Sequence, residues 1–552
     1  MYGRTDVAIE NVTIIDGSGN LPRVGSIGVT GDTVSSVGSS PRFHGEARLR
    51  VDGSGLFSAP GFIDLHSHSD FSLRENPLGH SKVLQGVTTE VVGNCGLTAA
   101  PVRSGTFSHL VEYLTNTVAI DDAEKQSWRW PTMMAYVEDS LSRGSSVNIA
   151  PLVGQGTLRV AVMGFCDLPP SPGQIEDMER LLSREMRMGC FGMSTGLQYV
   201  PNSYCTVEES SRLCSLVRSF GGFYAVHLRS EGRGLLQSVE EALEVARASG
   251  VRLEISHAKA AGEGNWGKSG QMIRAIEDEA LRGTDVAFDV YPYTAYGSSI
   301  LDFVPPVYLA GGIEKALQIL REESARREVA AMIRHPGSDW ENPRTEATWD
   351  RIVVTAVGDS EGARFVGKTI EQVSSVLGMD EADAIVHLVS RFRGRVKLLV
   401  HAMDEDEMKV LLSHPRSSIV SDAAAYKLSG KDRGAHPHPR SFGAFARVLG
   451  LYVREQGLLS WQEAIRKMTS LPAARAGITD RGLIREGMKA DIVLFDPERV
   501  KDCATFEEPF RYAEGIPWVM VNGVVTVRGS KHTGARAGRL LRRISAGTEE
   551  SR

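Results

Sequence analysis

The run Gly61-Phe62-Ile63-Asp64-Leu65-His66-Ser67-His68-Ser69-Asp70 concentrates more potential chemistry than any other stretch of this 552-residue chain. A short apolar segment ends in His-x-His. On a strand, side chains alternate, so both imidazoles face one way two positions apart. Two neutral imidazoles so placed can hold one divalent metal such as zinc. A His-x-His pair serves equally well as two solvated or hydrogen-bonded histidines, so the rest of the chain must decide. Four further apolar runs end in metal-ligand types. Cys95 follows 88–92, His227 follows 223–226, His257 follows 252–255 and Asp422 follows 418–420. Imidazole nitrogen, thiolate and carboxylate all suit zinc. Taken singly, Cys95 reads as an ordinary buried thiol, His227 and His257 as core histidines, and Asp422 as a helix cap behind Ser421. Packing alone gives no reason for five strand ends to carry them together.

The elements that must position these groups alternate strand and helix. Strand-like runs at 61–65, 88–92, 147–152, 191–194, 223–226, 252–255, 286–290 and 418–420 are separated by helical patterns such as 174–188 and 235–248. That is the pattern of an α/β fold, a (β/α)8 TIM-like barrel, whose catalytic groups sit at the C-terminal strand ends. The stretch from 301 to 414 is too long for one crossover and has helical segments of its own, at 312–332 and 360–393. It reads as a subdomain inserted before the last barrel strand. Both ends of the chain show short alternating strands broken by turn dipeptides such as Asp16-Gly17 and Asp52-Gly53. Neither end has enough core alone, so they are expected to form one small β-sandwich domain together. The expected division is 1–57 and 481–538 for that domain, 58–300 for barrel strands one to seven, 301–414 for the insertion, 415–480 for strand eight and closing helices, and 539–552 for a frayed tail.

Composition narrows the function classes. A formal net charge of −6 at this length, with no basic block, points away from nucleic acid. No apolar run approaches the roughly 20 residues of a membrane helix. The six cysteines are scattered without CxxC spacing, which argues against a disulfide framework and fits a reducing cytosol. The chain opens into polar-alternating sequence (Asp6-Val7-Ala8-Ile9-Glu10-Asn11-Val12), unlike a secretory leader. The expectation is a cytoplasmic protein, a monomer or small homo-oligomer, acting on a small molecule.

Several motifs resemble the amidohydrolase superfamily and, within it, the N-acyl-D-amino-acid deacylases (D-aminoacylases). At superfamily level these are the 61–68 segment and Gly482-Leu483-Ile484-Arg485-Glu486-Gly487-Met488-Lys489-Ala490-Asp491-Ile492-Val493. More specific are Val92-Gly93-Asn94-Cys95-Gly96, Ser194-Thr195-Gly196-Leu197, Ile255-Ser256-His257-Ala258-Lys259, Tyr291-Pro292-Tyr293-Thr294-Ala295, His436-Pro437-His438-Pro439-Arg440 and Met468-Thr469-Ser470-Leu471-Pro472-Ala473. The resemblance implies a tight zinc site on Cys95, His227 and His257. It implies a second, weaker position bordered by His66, His68 and Asp422. Asp422 would be general base and then general acid, with His66 a further catalytic donor. Lys259, Tyr291, Arg440 and Ser298 would bind substrate, the first three at its α-carboxylate.

The chemistry so implied is hydrolysis of an amide. Zinc lowers the pKa of bound water to about 7 and polarises a carbonyl; Asp422 moves the proton from water to the leaving nitrogen. A cyclic amide, a dipeptide or an amino-substituted ring is the alternative substrate class, and a metal-free scaffold the alternative role. Two lysine and arginine cations at one point favour a substrate carboxylate. Two positions depart from the resemblance, Gln155 where relatives carry histidine and Ala423 where they carry glycine. Tyr296, Phe303 and Tyr308 suit either a substrate pocket or the core of the insertion.

Overall fold

The computed structural model describes residues 5–118, 130–337, 340–428 and 435–543. The chain begins as a sheet of β1 (Thr5–Ile14), β2 (Arg23–Thr30), β3 (Thr33–Gly38), β4 (Ala47–Asp52) and β5 (Phe57–Pro60). Gly31 opens the two-residue β2–β3 loop at φ +59, the left-handed conformation that hairpins of this length favour.

The next strands run parallel. β6 (Phe62–Asp64), β7 (Val87–Val92) and β8 (Asn148–Pro151) form one sheet. β9 (Val153–Gly154), β10 (Gly192–Gly196), β11 (Phe223–His227), β12 (Arg252–Ile255) and β13 (Val286–Val290) belong to the next. Only Leu152 separates β8 from β9, so they continue one another. The helices between follow local signals. Pro172–Arg187 starts with a Ser171–Gln174 capping box and proline in its first turn, and Leu235–Ser249 stops at Gly250, φ +67.

After β13 the chain leaves this parallel set. β14 (Tyr296–Ser299), β15 (Ile352–Val357) and β16 (Val396–Val400) make an antiparallel sheet in the order β14-β16-β15. It has its own core, including Phe303, Ile333, Phe365, Ile385 and Val389. Only helices were expected in this stretch; the apolar run at β16 supplies the central strand. Phe303 is wholly buried in that core, with Tyr296 and Tyr308 packed against it. The following helix, Glu405–Ser413, instead sends Met408, Leu411 and Leu412 into the main core.

β17 (Ser417–Ile419) pairs with β13 and completes the parallel set. Its end meets the end of β6, through a parallel Ser67–Ala423 bridge and an Asp422 N to His66 O bond of 2.9 Å. The hydrogen bonding therefore runs round a ring of eight parallel strands. Its interior is filled by Ile63, Leu65, Val91, Phe191, Phe223 and Ala225, among others, and is shut at one end by Ala473, Ala476 and Ile478. On β11 the alternation is Phe223, Ala225, His227, so the period that fills the interior also carries the histidine to its open end.

The last strands, β18 (Ile492–Phe495), β19 (Trp518–Val521), β20 (Val524–Arg528) and β21 (Lys531–His532), return to the first sheet. β18 pairs antiparallel with β5, uniting both ends of the chain in a single nine-stranded sheet. Residues 539–543 are docked rather than frayed: Arg539 O and Leu541 N bond Ile149, and Arg543 N bonds Gly189 O. The remainder of the expected tail, 544–552, lies outside the described residues.

Candidate metal centre and active site

Six side chains expected to bind metal converge at the open end of the ring. Cys95 Sγ lies 3.3 Å from His66 Nε2, 3.8 Å from His227 Nδ1 and 3.7 Å from His257 Nε2. Asp422 Oδ1 lies 3.4 Å from His66 Nε2 and 3.3 Å from His68 Nε2. Three overlapping groups can each hold an ion: His66, His68 and Cys95; Cys95, His227 and His257; His66, His257 and Asp422. The donors lie at strand ends or a few residues beyond them, three at a backbone cost. Cys95, His257 and Asp422 have φ of +55°, +34° and +48°, a region that non-glycine residues seldom occupy.

The electrostatics suit a cation. Burial alone would raise the Cys95 thiol, but His66, His227 and His257 outweigh it and hold the group well below its ordinary range, as thiolate. Burial would likewise raise Asp422, yet Arg440, His257 and His66 keep its carboxyl well below the usual value. Burial opposes protonation of His68, but Asp422 and Cys95 prevail and push it up to about 9. A buried thiolate and carboxylate facing imidazoles need either protons or a metal to balance them, and the donor set fits zinc.

A supporting layer fixes the donors. Glu231 Oε1 is 2.9 Å from His257 Nδ1, and Gln198 Oε1 is 2.9 Å from His227 Nε2. Such contacts select the tautomer that leaves the other ring nitrogen for a metal. Asp289 Oδ1 accepts the His257 backbone N–H at 2.6 Å, and its Oδ2 stands 3.5 Å from His66 Nδ1. None of these three partners was foreseen. Glu231, four residues beyond His227, left a helix-like spacing as its only signal, and it acts from a loop.

Behind the donors lies a second buried charge cluster, also unforeseen. Lys82 is wholly buried; its Nζ donates to Asp64 Oδ2 (2.8 Å), Ser421 Oγ (2.7 Å) and Ala423 O (2.8 Å), and lies 3.1 Å from Glu90 Oε1. It thus ties β6, β7 and the segment after β17 together, holding the Ser421 hydroxyl and the Ala423 carbonyl on either side of Asp422. The readable signal was a carboxylate inside each of two apolar runs, since buried charges require partners.

The three residues expected to clamp a carboxylate, Lys259, Tyr291 and Arg440, lie together, and both cations already have partners. Arg440 Cζ lies 4.4 Å over the Tyr291 ring and Lys259 Nζ 5.7 Å from it. Arg440 Nη1 is 2.8 Å from Asp422 Oδ2, and Lys259 Nζ donates to Glu231 Oε1 at 2.6 Å. Arg440 Nε is buried without a hydrogen-bond partner among the described residues. The hydroxyl of Ser298 is held by Asp302 at 2.6 Å, whereas its neighbour Gly297 approaches Arg440, where a Cβ would stand 3.7 Å from Nη2. Gln155 is bound elsewhere: its amide donates to Cys205, Glu209 and Ser210. Its Oε1 is buried without a hydrogen-bond partner among the described residues.

Beside the metal donors, Gln198 and Tyr199 begin a cavity of ≈ 70 Å³ whose wall includes Tyr113, Leu301, Asp302 and Trp340. Tyr199 packs against His227 with 4.8 Å between ring centroids and the ring planes tilted by 56°. Tyr296, Phe303 and Tyr308 are absent from that wall.

The chain is similar to several known proteins. A family model described as the amidohydrolase family matches residues 427–527. The chain is 33% identical over 539 residues to an N-acyl-D-aspartate deacylase of Alcaligenes xylosoxydans xylosoxydans, covering 98% of this chain and 95% of that one. It is 34% identical over 541 residues to a D-aminoacylase of the same organism, covering 98% of each. Among solved structures, an N-acyl-D-glutamate deacylase from Bordetella bronchiseptica, complexed with zinc and a phosphonate mimic of the tetrahedral intermediate, superposes with a TM-score of 0.81 at 30% identity, covering 98% of this chain and 100% of that one. A 33–34% identity sustained over nearly the whole length, on the fold just described, is family membership: the chain belongs to the N-acyl-D-amino-acid deacylases of the amidohydrolase superfamily.

Proposed function

We propose that this protein hydrolyses the amide bond of N-acyl-D-amino acids to a carboxylate and a free D-amino acid, as a zinc enzyme. The observation that carries the reading is the meeting of Cys95, His227 and His257 with His66, His68 and Asp422, beside Lys259, Tyr291 and Arg440. Cys95, His227 and His257 would hold one zinc tightly, with His66, His68 and Asp422 bordering a weaker second position. When bound, the ion supplies Lewis acidity towards the amide carbonyl and acidifies water.

The side chains do the rest. Arg440 and Lys259 hold the α-carboxylate over the Tyr291 ring, which places the scissile amide beside Asp422. A substrate carboxylate on Arg440 also shares the cation that otherwise pairs with Asp422, leaving Asp422 Oδ1 a better proton acceptor. Asp422 takes a proton from water as the C–O bond forms, then delivers it to the nitrogen as the C–N bond breaks. His66 donates to the developing oxyanion, and Ser298 supports the clamp from β14.

The reading takes the ring as a (β/α)8 barrel, the two-ended sheet as one β domain, and the antiparallel sheet from β14 to β16 with its helices as an inserted subdomain, which begins before 301 and leaves the helix Glu405–Ser413 to the main core. The separate core around Phe303 and Phe365 supports that division. It also takes the protein as cytoplasmic, alone or as a small homo-oligomer; all six cysteines are free thiols. Amine release from matched N-acetyl-D- and N-acetyl-L-amino acids, with zinc content measured alongside, tests the activity. Selective turnover of D forms is expected. Bound zinc with turnover of neither hand would move the function to another C–N bond.

A further inference from the structure

The deacylase relatives matched here include one for D-aspartate and one for D-glutamate, so the charge of the accepted side chain is an open property of this chain. The cavity beside the metal donors bears on it. Its wall is mostly apolar, with Leu301, Val304 and Ile313 among its residues, but it also contains three carboxylates, Glu112, Asp302 and Glu341. Among the described residues, no lysine, arginine or histidine lines it. Lys397 and His227 act on Asp302, and Arg393 acts on Glu112, without lining the cavity. Glu341 stands beside a second buried carboxyl, Glu346, which burial and the Glu341 contact push well above the usual carboxylate range, so that Glu346 keeps its proton and the charge there stays on Glu341.

Position along the chain says which part of a substrate reaches this cavity. Gly297 on β14 approaches Arg440, while Ser299, Leu301 and Asp302, just beyond it, form the wall. Carboxylate clamp and cavity are thus neighbours on one segment. In an N-acyl amino acid the side chain is borne by the same carbon as the carboxylate, whereas the acyl group lies beyond the nitrogen.

Resting on the deacylase reading above, we propose that this cavity receives the side chain of the D-amino acid, and that Glu112, Asp302 and Glu341 make it select an apolar stem with a neutral or positively charged end and reject an acidic one. A carboxylate brought among three others in a largely apolar cavity meets repulsion, with no cation among the described lining residues to offset it. Burial already pushes Glu112 up to about 7 and raises Asp302, so an ammonium end group would relieve both.

The test compares N-acetyl-D-lysine, N-acetyl-D-norleucine and N-acetyl-D-glutamate on the zinc-loaded protein. The expected kcat/KM for glutamate is about 100-fold or more below the other two. Calorimetric binding of free D-lysine and D-glutamate should follow the same order. In a Glu112→Gln/Glu341→Gln variant the lysine-to-glutamate ratio should fall by about 10-fold, with amide groups keeping the shape of the wall. A second series on D-leucine, with acetyl, glutaryl and 6-aminohexanoyl groups, separates the two ends of the substrate. A charge preference seen there but not in the side-chain series would overturn the assignment of the cavity. Glutamate turned over as well as norleucine would overturn the selectivity while leaving the deacylase reading intact. Turnover of no N-acyl-D-amino acid of any charge would overturn both.

Discussion

Two buried charge clusters stand back to back at the open end of the ring, and they differ in how completely the protein satisfies them. Around Lys82 every charged group has a partner inside the protein: one ammonium meets Asp64, Glu90, a hydroxyl and a carbonyl, Ser67 and Ser69 donate to Glu90 Oε1, and Glu90 Oε2 alone is left without a hydrogen bond among the described residues. Around Cys95 a thiolate, three imidazoles and the nearby Asp422 point at one another across gaps of 3.3–3.8 Å. Burying a closed ionic cluster costs desolvation and returns geometric order. Burying an open one is sensible only where a ligand completes it. The contrast separates scaffold from site more sharply than residue type does, since both clusters contain carboxylates and both are inaccessible.

The first way to break this contrast is Cys95→Ala. Turnover should fall by at least ~1000-fold with loss of tight zinc, because charge stabilisation by a metal is worth several kcal/mol. The metal-free fold should be little affected. One zinc per chain at unchanged affinity would remove Cys95 from the ligand set. Next, Asp422→Asn should lower kcat by about 100- to 10,000-fold while zinc and folded structure persist; near-normal kcat would end the acid–base role. Lys82→Met probes the closed cluster. Removing one partner of a buried pair is worth about 3–5 kcal/mol, so denaturant unfolding should show that loss. Unchanged stability together with lost turnover would merge the two clusters into one functional unit. Arg440→Met should reduce kcat/KM by about 10- to 100-fold for a free carboxylate substrate, the worth of one charged hydrogen bond, and by much less for the corresponding amide. Equal losses on both would leave Arg440 as a partner of Asp422 alone.

The open cluster was legible in the sequence and the closed one was not, for a physical reason. Donors at strand ends are announced locally, by an apolar run of period two that stops at a histidine, cysteine or aspartate. The ring strands follow from the same signal. Lys82, by contrast, joins Asp64, Glu90 and Ser421, which lie far apart in the chain and meet only once β6 and β17 are side by side. Glu231 escaped because it supports two histidines from a loop with no periodicity of its own. The central strand of the insertion, β16, was hidden by Lys397 in an otherwise apolar run. Ser298 entered through family resemblance; its hydroxyl serves Asp302 in the capping of the next turn.

The left-handed backbone at Cys95, His257 and Asp422 sets heat resistance against chemistry at these positions. Glycine would relax each bend and remove each donor, so a selection that rewarded only survival of heating would drift toward a sturdier, inert protein. Keeping three such residues in an uncomfortable conformation is what one expects of a chain under continuous selection for turnover.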